Sequence, residues 1–366
     1  MSLDLRDALA GPEALDAFLR LPAAVYRGDP GYNASPLGDV LASLKRPEFD
    51  GRQRALVALE NGEPVARLVA RVSPALRDEA ERPYGLVGFF EALPDQDEAV
   101  AGLFRRAIDW LRTQGVGAIV GPMDGDTWHR YRLNVGPFDR PPFLLEPYNP
   151  PGYERLWTAQ GFTLLERYYS KRVDPAAVVA HLASRCGEAV AAGYRLRSLD
   201  PRRFRDELRR IYELSRRIFA RNFLYTEISE ADFLDLYAGS RALVDPDLVW
   251  FAQSPTGEDV GFLFAYPDLF RAVAAMRGER GLMAKLRFQW HRREAGAVDF
   301  KTLGVLPEHR RSGVAAALFH EGHRRALEKG YRVANHCLYR EGNPSGDLDG
   351  GAGERLREYH LYRYGG

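Results

Sequence analysis

The sequence predicts an α/β protein built from two diverged copies of one unit, each a mixed β-sheet flanked by helices. Three observations predict it. Short runs rich in β-branched and aromatic residues alternate with longer amphipathic runs of helical period. Each half has two strand-like runs joined by a tight turn, Asn61-Gly62 in the first and a Gly257-containing turn in the second, which makes its sheet mixed and not purely parallel. The order strand, turn, strand, strand, helix, strand then occurs twice in 366 residues, a length of about two ordinary domains.

In the first half, 53–59 and 64–72 read as the hairpin, 84–90 as a third strand, 98–115 as a helix and 118–122 as a further strand. After Asn149 a short helix reaches Gly161-Phe162, and a closing strand runs to Tyr169. The junction, 174–192, carries Val178, Val179, Leu182 and Val190 among alanine and charged residues, which predicts a helix or a docking segment and not a flexible spacer. Residues 202–220 bring Phe204, Leu208, Ile211, Tyr212, Leu214 and Ile218 near one helical face, ready to pack on the second sheet. Ser229 caps a further short helix. The second hairpin is 248–253 with 260–266, followed by a strand at 298–305, a helix at 314–329 that stops at Gly330, and a strand at 332–339. Between hairpin and third strand, 267–295 mixes Leu269, Phe270, Met276, Leu282, Met283, Leu286, Phe288 and Trp290 with seven arginine or lysine residues. This insertion reads as a lid over an acceptor pocket, a surface for acidic lipid or a partner protein being the alternative.

The 51 basic and 50 acidic residues nearly cancel and are interspersed, so there is no global electrostatic case for nucleic acid. Cys186 and Cys337 make neither a disulfide framework nor a thiolate cluster, and the eight histidines are scattered; no metal is expected. The N-terminus lacks the basic flank and apolar core of a secretion signal, and no apolar run reaches membrane-spanning length. A cytoplasmic protein without a membrane partner is the expectation.

The stretch 302–319 carries the chemistry. An apolar strand ends at Gly304-Val305, Pro307 prevents its continuation, and Ser312-Gly313 opens a helix of small residues. The first N–H groups of a helix have no internal partner, and together with the dipole they attract an anion. Gly313 permits close approach to the backbone, and Arg310 and Arg311 add positive charge. The turn offers a seat for a diphosphate, the start of an ordinary surface helix being the alternative.

Val305-x-Pro307-x-x-Arg310-x-x-Gly313-x-Ala315 resembles the acetyl-coenzyme A diphosphate loop of the GNAT superfamily of N-acetyltransferases, whose pattern is Arg or Gln, two residues, Gly, one residue, then Gly or Ala. The resemblance implies tandem acetyltransferase-like domains: 1–175, a connecting segment 176–189, and 190–366. It implies acetyl-CoA as cosubstrate and an amine acceptor, either a small molecule or a peptide. The diphosphate falls to the turn from Arg310 through Arg311, Ser312, Gly313, Val314, Ala315 and Ala316; the pantetheine arm falls to Leu303 and Val305; Asn343 and Ser345 flank the thioester and the rest of the arm. The first half departs from the pattern. After Gly88-Phe-Phe-Glu91 it places Asp95, Asp97 and Glu98 where a diphosphate needs donors, so only the second half is expected to bind coenzyme A.

Direct transfer requires a neutral nitrogen and donors for the developing oxyanion, a role that the resemblance implies for a backbone N–H near 303–305. Asp299, expected to share strand parity with Leu303 and Val305, is the nearest carboxylate base; pairing with Arg292 or Lys301 is its structural alternative. The family places an acid tyrosine on a helix after its asparagine, but 346–353 is glycine-rich and has no tyrosine. Tyr339 is the substitute, with Tyr362 and Tyr364 more distant. A noncatalytic coenzyme A sensor, a protein-interaction module and an aminoacyl-transferase-like enzyme are the alternatives, and the intact loop argues against the last.

Overall fold

The computed structural model describes residues 3–279 and 281–365. Along the chain come β1 (Leu3–Asp7), α1 (Pro12–Val25), α2 (Leu37–Leu44), β2 (Gln53–Glu60), β3 (Glu63–Arg77), β4 (Pro83–Ala92), α3 (Asp97–Thr113), β5 (Ile119–Gly121), β6 (Leu133–Gly136), α4 (Tyr153–Thr158) and β7 (Thr163–Val173). The second half continues with α5 (Pro175–Ala191), β8 (Arg195–Ser198), α6 (Phe204–Phe219), α7 (Glu230–Ala238), β9 (Val249–Gln253) and β10 (Asp259–Pro267). It ends with α8 (Phe270–Ala275), α9 (Leu282–Arg292), β11 (Ala297–Val305), α10 (Val314–Glu328), β12 (Val333–Arg340) and β13 (Glu354–Tyr364).

Local chemistry explains most of these elements. Asn61 and Gly62 both take positive φ, 51° and 87°, which lets β2 and β3 pair across a two-residue turn. Along α3, Val100, Leu103, Phe104, Ala107 and Leu111 recur at helical spacing and are buried on the sheet. The Ser229 hydroxyl accepts the Asp232 N–H at 3.1 Å and starts α7.

The strands form one sheet, in the order β1-β2-β3-β4-β5-β13-β7-β12-β11-β10-β9-β8, with β6 also on β13. Two mixed sheets therefore merge into one, because the halves exchange closing strands. β13, last in the chain, pairs with β5 of the first half; β7 of the first half pairs with β12 of the second; and β7 and β13 pair with each other from Thr163↔Arg363 to Arg172↔Glu354. Each hydrophobic core consequently contains a side chain from the exchanged strand: Tyr362 stacks on Trp157 in the first, at 6.2 Å between rings, and Val173 enters the second.

A buried ion pair pins the exchange. Arg357 of β13 is 2% exposed and meets Glu146 of the first half at 2.8 Å, while its Nε donates to the Pro137 carbonyl. The Tyr359 hydroxyl also donates to Glu146 and contacts the Ser170 hydroxyl of β7 at 3.0 Å. Such a pair contributes little net stability over an apolar replacement, yet removing one partner leaves a buried charge. Trp128 of the first half adds a second clamp, packing on Tyr225 and Phe233 and donating to the Thr226 carbonyl at 2.8 Å. No helix among the described residues is long and apolar enough to cross a membrane.

Arg357→Met should lower stability by about 3–5 kcal/mol in urea unfolding. Hydrogen exchange on the same variant should show β5 and β12 losing protection together, since each is completed by a strand of the other half.

Candidate functional site

The β11–β12 pairing lasts only from Ala297↔Val333 to Phe300↔His336. Beyond it the two parallel strands separate and leave a V-shaped cleft whose edges have no partner strand. On its other side β11 pairs with β10, but Phe300 faces Ala265 and Thr302 faces Phe264, so Lys301 is bulged out of the ladder.

That extra residue reverses the alternation of side chains. Phe300 lies toward α10, with its ring 3.9 Å from that of His323. Asp299 points the opposite way, level with Tyr266. Above the bulge, Leu303 is level with Leu263, which lies against α10 at Gly322, so Leu303 and Val305 face α10. The shared parity expected for Asp299, Leu303 and Val305 is therefore corrected, because simple alternation omits the inserted residue.

At the top of β11 the chain makes a short turn, Pro307–His309, before α10. The Arg310 guanidinium is turned inward to the carbonyls of Val305, at 3.4 Å, and Ile218, at 3.3 Å, so it braces the turn. Arg311 is exposed. The Ser312 hydroxyl and N–H both return to the His309 carbonyl, at 2.7 and 3.2 Å. Gly313 takes φ 79° and caps α10 without a side-chain bond. Val314 and Ala316 turn their side chains into the core and Ala315 is half-buried, while the N–H groups of all three lie in the first turn, where no carbonyl four residues back is available. One wall of this turn is α5: a Cβ on residue 313 would stand 3.0 Å from the Arg185 carbonyl and 3.4 Å from the Ala189 methyl. Donors without an internal partner at a helix start fit an anion, while the space left by the missing Cβ of Gly313 is taken by α5.

Below the bulge is a buried polar row on the face away from α10. Asp299 is fully buried; its Oδ1 accepts from Asn335 at 2.8 Å and its Oδ2 has no hydrogen-bond partner. Burial, then the neighbouring Asp268, push its carboxyl well above the usual range. Burial also depresses Lys301 and raises the Cys337 thiol. The first half contributes to this region: Arg132 and Glu146 act on Lys301 electrostatically, Phe143 packs on Cys337, and Tyr266 donates to the Leu144 carbonyl at 3.0 Å. Sequence reasoning missed these wall residues, whose only signal is a Lys and an Asp interrupting an apolar strand.

Tyr339 lies on the other face. Its ring contacts Gly346 and sits 5.6 Å from the Lys171 ammonium, and burial, then Asp349, raise its phenol. Asp299 and Tyr339 thus flank the cleft from opposite sides of the sheet. Asn343 Oδ1 accepts both the N–H and the hydroxyl of Ser345, each at 3.0 Å, so these groups satisfy one another. The glycine-rich segment holds only the short turn Pro344–Asp347. Tyr362 is committed to the first core and to Glu154 at 2.9 Å, and Tyr364 packs on Phe162. His323 and His336 share a 3.0 Å contact inside the second core, where burial pushes His323 down to about 3. No group able to hold a metal ion occurs among the described residues.

The first half has a corresponding divergence, since β4 and β5 pair only at Gly85↔Ile119 and Leu86↔Val120. Past it, Glu91 accepts from Tyr26 at 2.8 Å and Tyr153 at 3.1 Å and lies 3.4 Å from Arg130, which also reaches Asp124. Side chains satisfy each other there.

No family model matches the chain. It is 29% identical over 276 residues to the bacterial ceramide synthase of Caulobacter vibrioides (strain NA1000 / CB15N), covering 73% of this chain and 71% of that protein. It is 24% identical over 314 residues to protein YghO of Escherichia coli (strain K12), covering 83% and 79%. Among solved structures, a tandem GNAT protein from the clavulanic acid biosynthesis pathway superposes with a TM-score of 0.53 at 14% identity, covering 99% of this chain and 98% of that one. A probable N-acyltransferase from Enterococcus faecalis V583 gives 0.55 at 8% identity, covering 99% and 72%. The glucosamine N-acetyltransferase region of a fungal multi-domain GH3 β-N-acetylglucosaminidase gives 0.56 at 13% identity; this chain is covered to 99% but spans only 38% of that larger chain. The chain has the GCN5-related N-acetyltransferase fold.

Two outcomes follow from the geometry. Gly313→Ala, at positive φ and against α5, should cost about 1–3 kcal/mol, seen as a lower melting temperature. A carboxyl with a raised folded pKa stabilises the fold below its unfolded value and loses that contribution as pH rises through the folded one. Melting curves of Asp299→Asn should therefore gain on the parent protein as pH increases from about 4.

Proposed function

We propose that this protein is a coenzyme A-dependent N-acyltransferase that acylates an amine by direct nucleophilic attack in the β11–β12 cleft. The observation that carries the reading is a glycine-capped helix start with open N–H donors, placed at the end of a strand that parts from its parallel neighbour above a buried, half-satisfied carboxylate. The N–H groups of Arg311 and of Gly313 to Ala316 hold the diphosphate, that of Ser312 being returned to the His309 carbonyl, and the free edge of Leu303 to Val305 lies along the pantetheine arm. The thioester supplies an electrophilic carbonyl and a thiolate leaving group. N–H groups left without a strand partner near the bulge stabilise the oxyanion. Asp299, in its ionised form, takes the amine proton directly or through water. Tyr339, across the sheet, returns a proton to the leaving sulfur.

The loop contacts the diphosphate and not the acyl group, so it does not choose acetyl over a longer chain. Acetyl-CoA is the donor that the motif's family suggests. Similarity to a protein named bacterial ceramide synthase supports instead a fatty acyl donor and a long-chain amine, ceramide being an amide of that kind. Phe143, Leu144, Tyr266 and Phe288 beside the carboxylate row are in keeping with an apolar acceptor. In this reading the units 1–175 and 190–366 divide the work: the second holds coenzyme A, while the first, its own cleft filled by the Glu91 cluster, supplies acceptor walls. A cytoplasmic location belongs to the same reading, supported by two unpaired cysteines.

The test mixes purified protein with acetyl-CoA or palmitoyl-CoA and a panel of short and long-chain amines, following free thiol and N-acyl product together. Product and thiol should appear in equal amounts. Gly313→Glu and the exposed Arg311→Glu should weaken thioester binding, whereas Asp299→Asn should lower kcat by roughly 10²–10⁴ with little change in thioester KM. Thiol release without acylated amine, or unchanged turnover in Gly313→Glu, overturns the proposal.

A further inference from the structure

The α8–α9 hairpin presents an apolar face that the fold does not cover. Leu282, Met283, Leu286 and Trp290 fall on one side of α9 at positions i, i+1, i+4 and i+8 and are 74, 64, 53 and 69% exposed. They form a ridge about 12 Å long by the helix rise. On the opposite side of α9, Ala284 and Phe288 are buried, Phe288 in the cluster of Tyr266, Leu144, Leu269 and Phe270.

Charge identifies what covers the ridge. Residues 267–295 contain seven basic and three acidic residues, in a chain whose charges otherwise almost cancel. Two of the acidic ones are occupied, Glu279 by Arg287 and Glu294 by His291. Lys285 and Arg293 are exposed on and just after α9 itself, and Arg271 and Arg277 are exposed on the α8 arm of the hairpin. A projecting ridge of Leu, Met and Trp bordered by cations matches an anionic bilayer surface, where the apolar side chains enter the acyl boundary and the cations meet phosphate.

We propose that α9 docks this protein on an anionic phospholipid membrane, a partner that the sequence reading sets aside. The docked face is one layer of side chains from the site: Phe288 packs in the cluster that contains Tyr266, and Tyr266 is level with Asp299 on the neighbouring strand. An amine with a long apolar chain then passes from the bilayer to the carboxylate row without crossing water. This delivery role rests on the proposed acyl transfer; the docking does not.

The experiment is vesicle sedimentation with phosphatidylcholine alone and with phosphatidylcholine containing phosphatidylglycerol, using the full chain, Leu286→Glu/Trp290→Glu and Lys285→Glu/Arg293→Glu. All four positions are exposed, and unchanged melting temperatures confirm intact folds. The parent protein should bind the anionic vesicles at least tenfold more tightly than the neutral ones, more weakly as salt rises, and each double variant should lose at least tenfold. Equal binding to both vesicles, no binding, or binding untouched by the variants overturns the proposal. So does a lipid-independent dimer that the apolar variant disperses, which would make the ridge an interface between copies. Turnover of a short water-soluble amine should be unchanged in both variants, while turnover of a vesicle-borne long-chain amine falls. Absence of any turnover in the parent protein alongside intact vesicle binding removes the acyl-transfer reading and leaves the docking in place.

Discussion

Arg357 enters from the last strand of the chain and meets Glu146, from the first half, where neither side chain reaches water. The pair marks the centre of an exchange in which β13 closes the first half and β7 closes the second. Neither sheet is complete without the other half's strand, so the two units cannot separate without exposing unpaired strand edges. The walls of the cleft inherit this constraint. Phe143, Leu144 and Glu146 lie on the segment that Arg357 holds, and the same segment lines the row that contains Asp299, Lys301 and Cys337.

Which way the side chains of β11 face at the cleft depends on one inserted residue. Without the bulge at Lys301, β11 would present Asp299 on the same side as Leu303 and Val305, toward α10. With it, the strand carries two registers: above the bulge Leu303 and Val305 face α10, and below it Phe300 faces α10 while the carboxylate of Asp299 faces the first half and the apolar lining. In the proposed reaction a cofactor and an acceptor approach one reacting centre from different sides. Burial of Asp299 with one oxygen unsatisfied destabilises the folded state, a pattern found where proton affinity has been tuned for function.

The two halves finish their corresponding strand divergences in different ways. In the second, the start of α10 keeps open donors, because small side chains and a positive-φ glycine leave the backbone bare. In the first, α3 begins with Asp97 and Glu98, and the divergence of β4 from β5 is filled by Glu91, two tyrosines and an arginine. A site that satisfies its own polar groups is a rigid support and a poor receptor. The α8–α9 hairpin has the reverse character. Its inner face completes the packing around Tyr266, and its outer face remains apolar and cationic.

What the chain specifies locally was legible by itself. The Asn61-Gly62 turn, the Ser229 cap, the apolar faces of α3 and α6 and the helix that opens at Gly313 depend on nearest neighbours in sequence, and they occur where period and turn chemistry place them. The docked helix at the junction was legible for the same reason, although not that its Arg185 and Ala189 would lie against Gly313. Strand partners were not. Backbone hydrogen bonds are the same for every residue type, so nothing in 354–364 says that it pairs with β5 and β7, or in 163–173 that it pairs with β12. The bulge was hidden because it arises from the mismatch between β10 and β11 after they pair, and with it went the true direction of Asp299. Tertiary structure decided which strand closes which half and which face each polar group occupies, since both follow from contacts between residues far apart in the chain.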